Sequence, residues 1–236
     1  MVTPKYKRIL LKLSGEALAN GGKNILDFDF IAKVAEVLRR LRDAGVEIGV
    51  IVGAGNIWRG RQGTEMDRQQ ADNMGMLATA INALALQDSF TRAGLDAVVM
   101  SAAPIPKFAD TFTVRDANAA LANGKVVVFA CGLGDPYFST DTAAALRAAE
   151  IGADVVLMAK NIDGIYTADP KVDPTARRYD EVTYAEVLEK QLKALDLSAT
   201  TFCMENDIRC YAFALNDPDN IYRAVMGEHI GTELHC

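Results

Sequence analysis

The chain contains near its start the stretch Arg8-Ile9-Leu10-Leu11-Lys12-Leu13-Ser14-Gly15. Its apolar run is short and is stopped by the serine and the glycine, which is typical of a buried β-strand. An amphipathic helix is predicted next, over residues 28–44, because apolar side chains recur there at helical spacing. A second apolar strand is predicted over residues 46–52, and it ends in Gly53-Ala54-Gly55-Asn56. This succession of strand, helix and strand decides the fold class.

The same alternation continues along the rest of the chain. The spacing of apolar residues predicts strands over residues 97–100, 126–130, 155–159 and 209–213, and helices over residues 67–93, 114–122, 142–151, 184–192 and 200–205, with Pro218 at the first position of a last helix. The strands are continuously apolar, which indicates a mainly parallel sheet covered by helices on both faces. We therefore predict one domain over residues 1–236, an α/β fold built as a three-layer α/β/α sandwich with a mainly parallel central sheet.

The amino-acid composition argues against a nucleic-acid-binding, a membrane or a secreted protein. The chain has 236 residues, of which 50% are hydrophobic and 24% charged, and its net charge is −6. This acidic balance argues against a nucleic-acid partner. No apolar run approaches the roughly 18 residues of a membrane span, and no secretory signal follows Met1. We therefore expect a cytoplasmic protein that does not associate with a membrane.

The sequence offers little for several common chemistries. Its only histidines are His229 and His235, and no two of its four cysteines have C-x-x-C spacing. These facts disfavour a histidine-centred hydrolase, a histidine-rich metal site, a zinc ribbon and a thioredoxin-like redox site. The chain also lacks a G-x-x-x-x-G-K-[ST] phosphate loop, a complete G-x-G-x-x-G fingerprint and a G-x-S-x-G elbow.

Four loops follow predicted strands, at residues 12–15, 53–56, 132–135 and 161–164, and each contains glycine. Ligands of parallel sheets bind at the carboxyl ends of the strands, where these loops meet. Glycine lets the backbone approach a phosphate closely. Any one of these loops is better explained by an ordinary structural turn, but several on one sheet edge favour a phosphate-binding site.

Charged residues accompany these loops. Lys12 lies at the end of an apolar strand, and Arg59, Arg61 and Arg68 follow the second loop. Taken singly, Lys12 is explained either by an anion that it pairs with or by a side chain that reaches to water. The arginines are explained either by a bound phosphate or by a solvated basic turn. Four aspartates lie at helix starts or in turns, where aspartate is common for structural reasons alone; they are Asp72, Asp141, Asp163 and Asp169. Together, basic groups, glycine amides and carboxylates at one edge predict phosphoryl transfer assisted by Mg²⁺.

Five blocks of the sequence, in order, resemble the bacterial uridylate (UMP) kinase family, a branch of the amino-acid kinase superfamily. They are Lys7-Arg8-Ile9-Leu10-Leu11-Lys12-Leu13-Ser14-Gly15-Glu16-Ala17-Leu18, Asn56-Ile57-Trp58-Arg59-Gly60, Asp72-Asn73-Met74-Gly75-Met76-Leu77-Ala78-Thr79, Gly134-Asp135-Pro136-Tyr137-Phe138-Ser139-Thr140-Asp141 and Asp163-Gly164-Ile165-Tyr166-Thr167-Ala168-Asp169-Pro170. The blocks run in the family's order, and the resemblance, which implies a single amino-acid kinase-type domain over residues 1–236, covers nearly the whole chain. The resemblance implies a homohexamer that reversibly transfers the γ-phosphoryl group of ATP to UMP, with Mg²⁺ arriving with ATP, in pyrimidine nucleotide biosynthesis.

The resemblance also implies roles for individual residues. The catalytic residues would be Lys12, Asp141 and Asp196. ATP would be bound by Lys12, Leu13, Ser14, Gly15, Gly55, Arg59, Asn161, Tyr166 and Asp169. UMP would be bound by Ala54, Arg59, Asp72, Leu133, Gly134, Asp135, Pro136, Tyr137, Phe138, Ser139 and Thr140, with Asp72 on the ribose hydroxyls. No dedicated protein metal site is expected.

The sequence departs from the family pattern at two places. Ala54 stands where three consecutive glycines are common, and residues 19–26 differ from the glycine-rich segment that is linked to GTP activation. GTP activation therefore stays open, and feedback inhibition by UTP is expected from the family alone. Three other functions also stay open. They are a kinase for a carboxylate such as acetylglutamate or carbamate, a nucleotide-binding molybdenum-storage protein, and a redox enzyme on an α/β sheet.

Overall fold

The computed structural model describes residues 3–59 and 65–236. In these ranges nine strands form one sheet: β1 (Arg8–Leu13), β2 (Glu47–Val52), β3 (Ala97–Ser101), β4 (Asp110–Thr111), β5 (Val126–Ala130), β6 (Val155–Lys160), β7 (Glu181–Thr183), β8 (Cys210–Ala214) and β9 (Gly231–His235). Their order across the sheet is β4-β3-β5-β2-β1-β6-β8-β9-β7. All neighbouring pairs are parallel except β8 and β9.

Eight helices are formed in the same ranges: α1 (Gly15–Ala19), α2 (Phe28–Asp43), α3 (Arg68–Arg92), α4 (Val114–Ala122), α5 (Thr140–Ile151), α6 (Tyr184–Glu189), α7 (Leu197–Glu205) and α8 (Asp219–Val225). Side chains of α1, α2, α3 and α8 share one buried cluster with one face of the sheet. Side chains of α4 to α7 share a second cluster with the other face. The predicted α/β/α sandwich with a mainly parallel sheet is thus confirmed. None of the helices in the described ranges combines the length and apolarity that crossing a membrane requires.

Strand β1 shows how the sequence places the site. Ile9, Leu11 and Leu13 belong to the first cluster, whereas Leu10 belongs to the second. Because side chains alternate along a strand, Lys12 lies on the same face as Leu10, the face covered by α5. The lysine therefore leaves the end of the central strand on the side where α5 begins.

The structure adds short elements that the apolar pattern did not predict. They are α1, the edge strands β4 and β7, and the strand β9, which is antiparallel to β8. Each of these elements has at most five residues and lacks the continuous apolar run of the predicted strands, so it depends on contacts with the rest of the fold. Helices α5 and α7 begin two and three residues earlier than predicted, at Thr140 and Leu197, and α8 begins one residue later, with Pro218 at its N-cap.

Candidate active site

An open cleft of about 440 Å³ lies at the carboxyl ends of β1, β2 and β5, between the starts of α3 and α5. This is the edge where parallel sheets bind their ligands. The predicted site residues that line it are Lys12, Ser14, Gly15, Ala54, Gly55, Arg59, Asp72, Leu133, Asp135, Phe138, Ser139, Thr140 and Asp141. The cleft thus brings together the first, second and third of the predicted loops.

Lys12 and Asp141 form an ion pair in this cleft. The distance from Lys12 Nζ to Asp141 Oδ1 is 2.7 Å, and the exposed fractions of the two side chains are 15% and 24%. Burial by itself raises the pKa of the Asp141 carboxyl, but the nearby ammonium groups of Lys12 and Lys160 outweigh it. The pKa of Asp141 therefore lies below its ordinary value, and the carboxylate stays ionised beside the lysine.

Lys160 is the last residue of β6 and lies behind Asp141. Its ammonium group donates a hydrogen bond to the backbone oxygen of Ala194. Burial lowers the pKa of Lys160, the charge of Asp141 raises it, and the net shift is downward. Lys160 therefore ties the segment before α7 to the sheet and supplies a second positive charge near Asp141.

Helix α5 is fixed at its start by Ser139 and Asp196. The Ser139 hydroxyl accepts hydrogen bonds from the backbone N–H groups of Asp141 at 3.0 Å and Thr142 at 3.2 Å, and it donates to the Asp196 carboxylate. Asp196 in turn caps α7 by accepting from Ala199 N at 2.8 Å. A serine cap of this kind stabilises a helix by about 1 kcal/mol. Asp196 therefore acts on the cleft through Ser139 and does not line it.

The first two glycine loops are packed against each other. A methyl group on Gly15 would lie 2.3 Å from Asn56 Oδ1 and 2.6 Å from Gly55 N, so only glycine fits there. Asn82 of α3 is fully buried, and its amide donates to the Gly53 oxygen and to Asn56 Oδ1, both at 2.8 Å. This asparagine holds the second loop in place from below.

Among residues 3–59 and 65–236, three cationic side chains line the cleft, and each is paired with a carboxylate of the same cleft. Lys12 pairs with Asp141, Arg59 with Glu16, and Arg68 with Asp72 at 2.7 Å. An incoming phosphate can compete with these carboxylates for the cations, because it offers more acceptor oxygens and more charge. Gly60 and Arg61, which follow Arg59, lie outside the described residues.

The third loop, after β5, is held in an unusual backbone conformation. Cys131, Gly132 and Gly134 have φ values of 61°, 55° and 86°, and Tyr137 has a φ of 72°. The Thr79 hydroxyl of α3 accepts from Cys131 N at 2.8 Å. Glycine tolerates positive φ, but the two other residues need outside contacts of this kind. Helix α3 therefore positions the loop that starts at Cys131.

Several predicted site residues lie outside the cleft lining. Leu13 is fully buried, and Gly134, Pro136 and Tyr137 do not line the cleft. The three predicted nucleoside-site residues follow β6; they are Asn161, Tyr166 and Asp169. The Tyr166 hydroxyl donates to Asp163 Oδ1 at 2.8 Å, and the Asp169 carboxylate accepts from Lys171 N at 2.9 Å. Their roles stay predictions.

The structure also brings residues to the cleft that were not predicted to bind a ligand. Glu16, Trp58, Met76 and Thr79 line it, and so does Arg68, which the sequence had indicated only as one of the basic residues after the second loop. Most of them lie inside the sequence blocks that resemble the kinase family, and membership of those blocks was the only sequence feature that could have predicted their place in the cleft. Asn82 and Lys160 lie beneath the cleft, and nothing in their sequence context distinguishes them from ordinary polar residues.

The side chains around the cleft offer few donor atoms for a metal ion. No group of three or more His, Cys, Asp or Glu side chains that could hold a metal ion occurs in residues 3–59 and 65–236. The Asp141 carboxylate lines the cleft, whereas Asp196 is engaged by Ser139, Thr142 and Ala199. One carboxylate beside a phosphate site suits Mg²⁺, which keeps several waters and takes most other ligands from substrate phosphates.

Fold and cleft together define an α/β/α protein with a site for anionic, phosphate-bearing ligands at the carboxyl edge of its sheet. The chain belongs to the amino acid kinase family, whose model matches residues 7–213.

Solved structures agree with this assignment. The chain is 33% identical to a UMP kinase from Bacillus anthracis, with a TM-score of 0.94, and the match covers 98% of this chain and 96% of the other. It is 35% identical to a UMP kinase from Ureaplasma parvum, with a TM-score of 0.93 and coverage of 98% and 100%. A uridylate kinase from Archaeoglobus fulgidus is 26% identical, with a TM-score of 0.73 and coverage of 96% and 99%.

Proposed function

We propose that this chain is a UMP kinase, which reversibly transfers the γ-phosphoryl group of ATP to UMP and gives UDP and ADP. The observation that carries the proposal is the Lys12–Asp141 ion pair in a cleft that two packed glycine loops and two arginines also line. Such a cleft provides cations and backbone donors where phosphate groups would meet. The solved UMP kinases support the same activity, since they match nearly the whole chain.

The acceptor nucleotide would occupy the part of the cleft between α3 and the loop after β5. There Arg59 would leave its ion pair with Glu16 and bind the UMP phosphate instead. Asp72 would accept hydrogen bonds from the ribose hydroxyls. Residues 133–140 would enclose the base and the phosphate, with Ala54 and Gly55 between the acceptor and donor phosphates.

The chemical step would be a direct in-line transfer. An oxygen of the UMP phosphate attacks the γ-phosphorus of ATP as the bond to the β,γ-bridging oxygen breaks. The attacking oxygen is already anionic, so no general base is required. Lys12 would leave part of its contact with Asp141 to neutralise charge on the transferring group, and the backbone N–H groups near Gly15 and Gly55 would supply fixed donors.

The proposal includes Mg²⁺ because the cleft combines a carboxylate with room for nucleotide phosphates. With nucleotides, Mg²⁺ is usually bound by one or two carboxylates and by the phosphates themselves. Asp141 is the cleft carboxylate that would contact it, directly or through its water shell. When bound, Mg²⁺ neutralises charge on the ATP phosphates. Asp141 thereby serves two cations, since it also orients Lys12.

The ATP nucleoside would lie toward the loop after β6, where the predicted residues Asn161, Tyr166 and Asp169 are found. Ser14 caps α1 by accepting from Ala17 N at 3.1 Å, so its loop is fixed before ATP binds. Leu13 is buried and would contribute its backbone only.

A homohexamer is also proposed for this chain. Helix α3 supports oligomer formation because Met74, Leu77 and Ile81 expose 41%, 55% and 51% of their surface on one face. Light scattering measures the mass of the oligomer, and Leu77→Glu is expected to reduce that mass.

We further propose that residues 1–236 act as a single domain, which the one continuous sheet supports. We also propose that the protein works in the cytoplasm, in pyrimidine nucleotide biosynthesis.

The decisive experiment is a coupled ADP-release assay with ATP and Mg²⁺, comparing UMP, CMP, dUMP and no acceptor. We expect strong turnover with UMP and little with CMP. Equal rates with UMP and CMP would contradict the role of residues 133–140 in base recognition. Turnover only with acetylglutamate or carbamate would favour a carboxylate kinase, and ATP binding without turnover would favour a storage protein. GTP and UTP added to the same assay test the regulation expected from the family.

A further inference from the structure

Arg68, the first residue of α3, lies in the acceptor part of the cleft without a role in the mechanism above. Its Nε donates to Asp72 Oδ2 at 2.7 Å. Its guanidinium carbon lies 5.5 Å from the centre of the Tyr137 ring, within the range of a cation–π contact. Arg68 therefore touches both the proposed ribose-binding carboxylate and the loop that would cover the nucleotide.

The Asp72 carboxylate is held by two donors on one oxygen. Besides Arg68 Nε, the backbone N–H of Tyr137 donates to the same Oδ2 at 2.9 Å. The Asp72 side chain is only 15% exposed, against 39% for Arg68. Oδ2 is thus occupied from two sides, and Oδ1 is the oxygen left for a ligand.

We infer that Arg68 is a positioning residue that sets the preference of this site for a ribonucleotide over a deoxyribonucleotide. The inference rests on the proposed function, in which Asp72 accepts hydrogen bonds from the ribose. It extends that function by assigning to the Arg68 guanidinium the control of how strongly Asp72 favours a sugar that has a 2′-hydroxyl.

The physical reason is preorganisation. A half-buried carboxylate oxygen that loses its donor is costly when it cannot turn toward another donor or toward water. Arg68 and Tyr137 together prevent Asp72 from turning, so a sugar without the 2′-hydroxyl leaves Oδ1 poorly satisfied. Without Arg68, the carboxylate can rotate and find other partners, and the missing hydroxyl then costs less.

A second role for Arg68 would leave a different signature. If its guanidinium bound the nucleotide phosphate directly, its loss would weaken UMP and dUMP equally, because both carry the same phosphate. The ratio of the two substrates therefore separates positioning of Asp72 from phosphate binding, and also from a general loss of stability.

The experiment measures kcat/KM for UMP and dUMP in the wild type, Arg68→Met and Arg68→Lys. The matched control is Arg92→Met, which removes another arginine–aspartate pair four residues apart on α3, the pair with Asp88 at 2.8 Å. We expect the UMP to dUMP ratio to fall about fivefold or more in Arg68→Met. Arg68→Lys keeps a donor and is expected to recover part of the ratio, and the control to keep all of it.

Calorimetric binding of UMP and dUMP to the same variants gives the ratio even where turnover is lost. An unchanged ratio in Arg68→Met, with active wild-type enzyme, would overturn the inference and leave the proposed function intact. A wild type that neither binds nor phosphorylates UMP would overturn both. An equal fall of the ratio in Arg92→Met would also overturn the inference, because the effect would then belong to the helix as a whole.

Discussion

Lys12 Nζ lies 2.7 Å from Asp141 Oδ1, so a single ion pair joins the end of the central strand β1 to the first turn of α5. The two residues are brought together by the alternation of β1, which turns Lys12 toward the α5 face, and by Ser139, which fixes where α5 begins. The pair holds the lysine ready without a bound anion. A phosphate can then recruit the lysine while Asp141 remains charged.

The first prediction concerns Lys12 itself. Lys12→Ala removes the only side-chain cation that β1 contributes to the cleft, and we expect kcat to fall at least about 100-fold, as for the loss of one transition-state donor. The KM values for both substrates are expected to change much less, since the lysine acts mainly on charge that develops during transfer.

The control for Lys12 is Lys125→Ala, which removes an exposed lysine paired with Asp96 at 3.2 Å. Steady-state kinetics and circular dichroism are measured for both variants. A Lys12→Ala enzyme with native spectra and nearly normal kcat would remove Lys12 from the mechanism.

Asp72→Asn tests ribose binding by a change in KM. The amide keeps the size of the side chain but replaces the negative carboxylate, whose Oδ2 accepts hydrogen bonds from Arg68 Nε and Tyr137 N, by a neutral group. We expect the KM for UMP to rise about tenfold, equivalent to one charge-assisted hydrogen bond, while the KM for ATP stays the same.

Asp88→Asn is the matched control for Asp72, because Asp88 pairs with an arginine of the same helix far from the cleft. An unchanged KM for UMP in Asp72→Asn would show that the carboxylate does not bind the ribose.

The third prediction tests the packing of the glycine loops. In Gly15→Ala the new methyl group would meet backbone atoms, since Gly55 N would lie 2.6 Å away and the carbonyl carbon of Ala54 2.9 Å away. Backbone cannot move aside cheaply, so we expect a loss of about 1–3 kcal/mol in the free energy of unfolding, with activity lost as well.

Gly75→Ala is the comparison for stability only. Gly75 lies within α3, and a methyl group there would meet nothing nearer than Trp58 Cδ1 at 3.9 Å. Alanine in a helix interior is expected to raise the free energy of unfolding by about 0.5–1 kcal/mol. Thermal and denaturant unfolding of both variants should therefore give opposite signs, and equal losses would contradict the packing argument.

The sequence predicted the fold well because long apolar strands and helices each carry their own period. Strand β1 has the predicted limits, Arg8–Leu13, and its continuous apolarity identified a parallel sheet correctly. Strand β9 was not predicted because its five residues, Gly231–His235, contain no continuous apolar run. Its antiparallel pairing with β8 depends on tertiary packing, which the local sequence does not show.

The candidate site was predictable only in part. Loops at strand ends could be placed on one edge of the sheet, since topology fixes that edge. The pairing of Arg59 with Glu16 and the support of Gly53 by Asn82 could not be predicted, because side-chain partners from separate loops depend on the packing of α1 and α3. The glycine loop 161–164 and the turn aspartate Asp169 drew attention to the segment after β6, but only the resemblance predicted that Asn161, Tyr166 and Asp169 bind ATP.

The last prediction concerns pH and Lys160. Burial favours the neutral form of Asp141, and the charges of Lys12 and Lys160 hold its pKa below the ordinary value of 3.8. This stabilises the folded state above pH 3.8, and the contribution is lost as pH falls through the lower folded-state pKa. In Lys160→Met the pKa of Asp141 rises, so the acid limb of kcat and the acid loss of Tm should both move to higher pH. The control is Lys125→Met, and identical profiles for both variants would show that Lys160 does not act on Asp141.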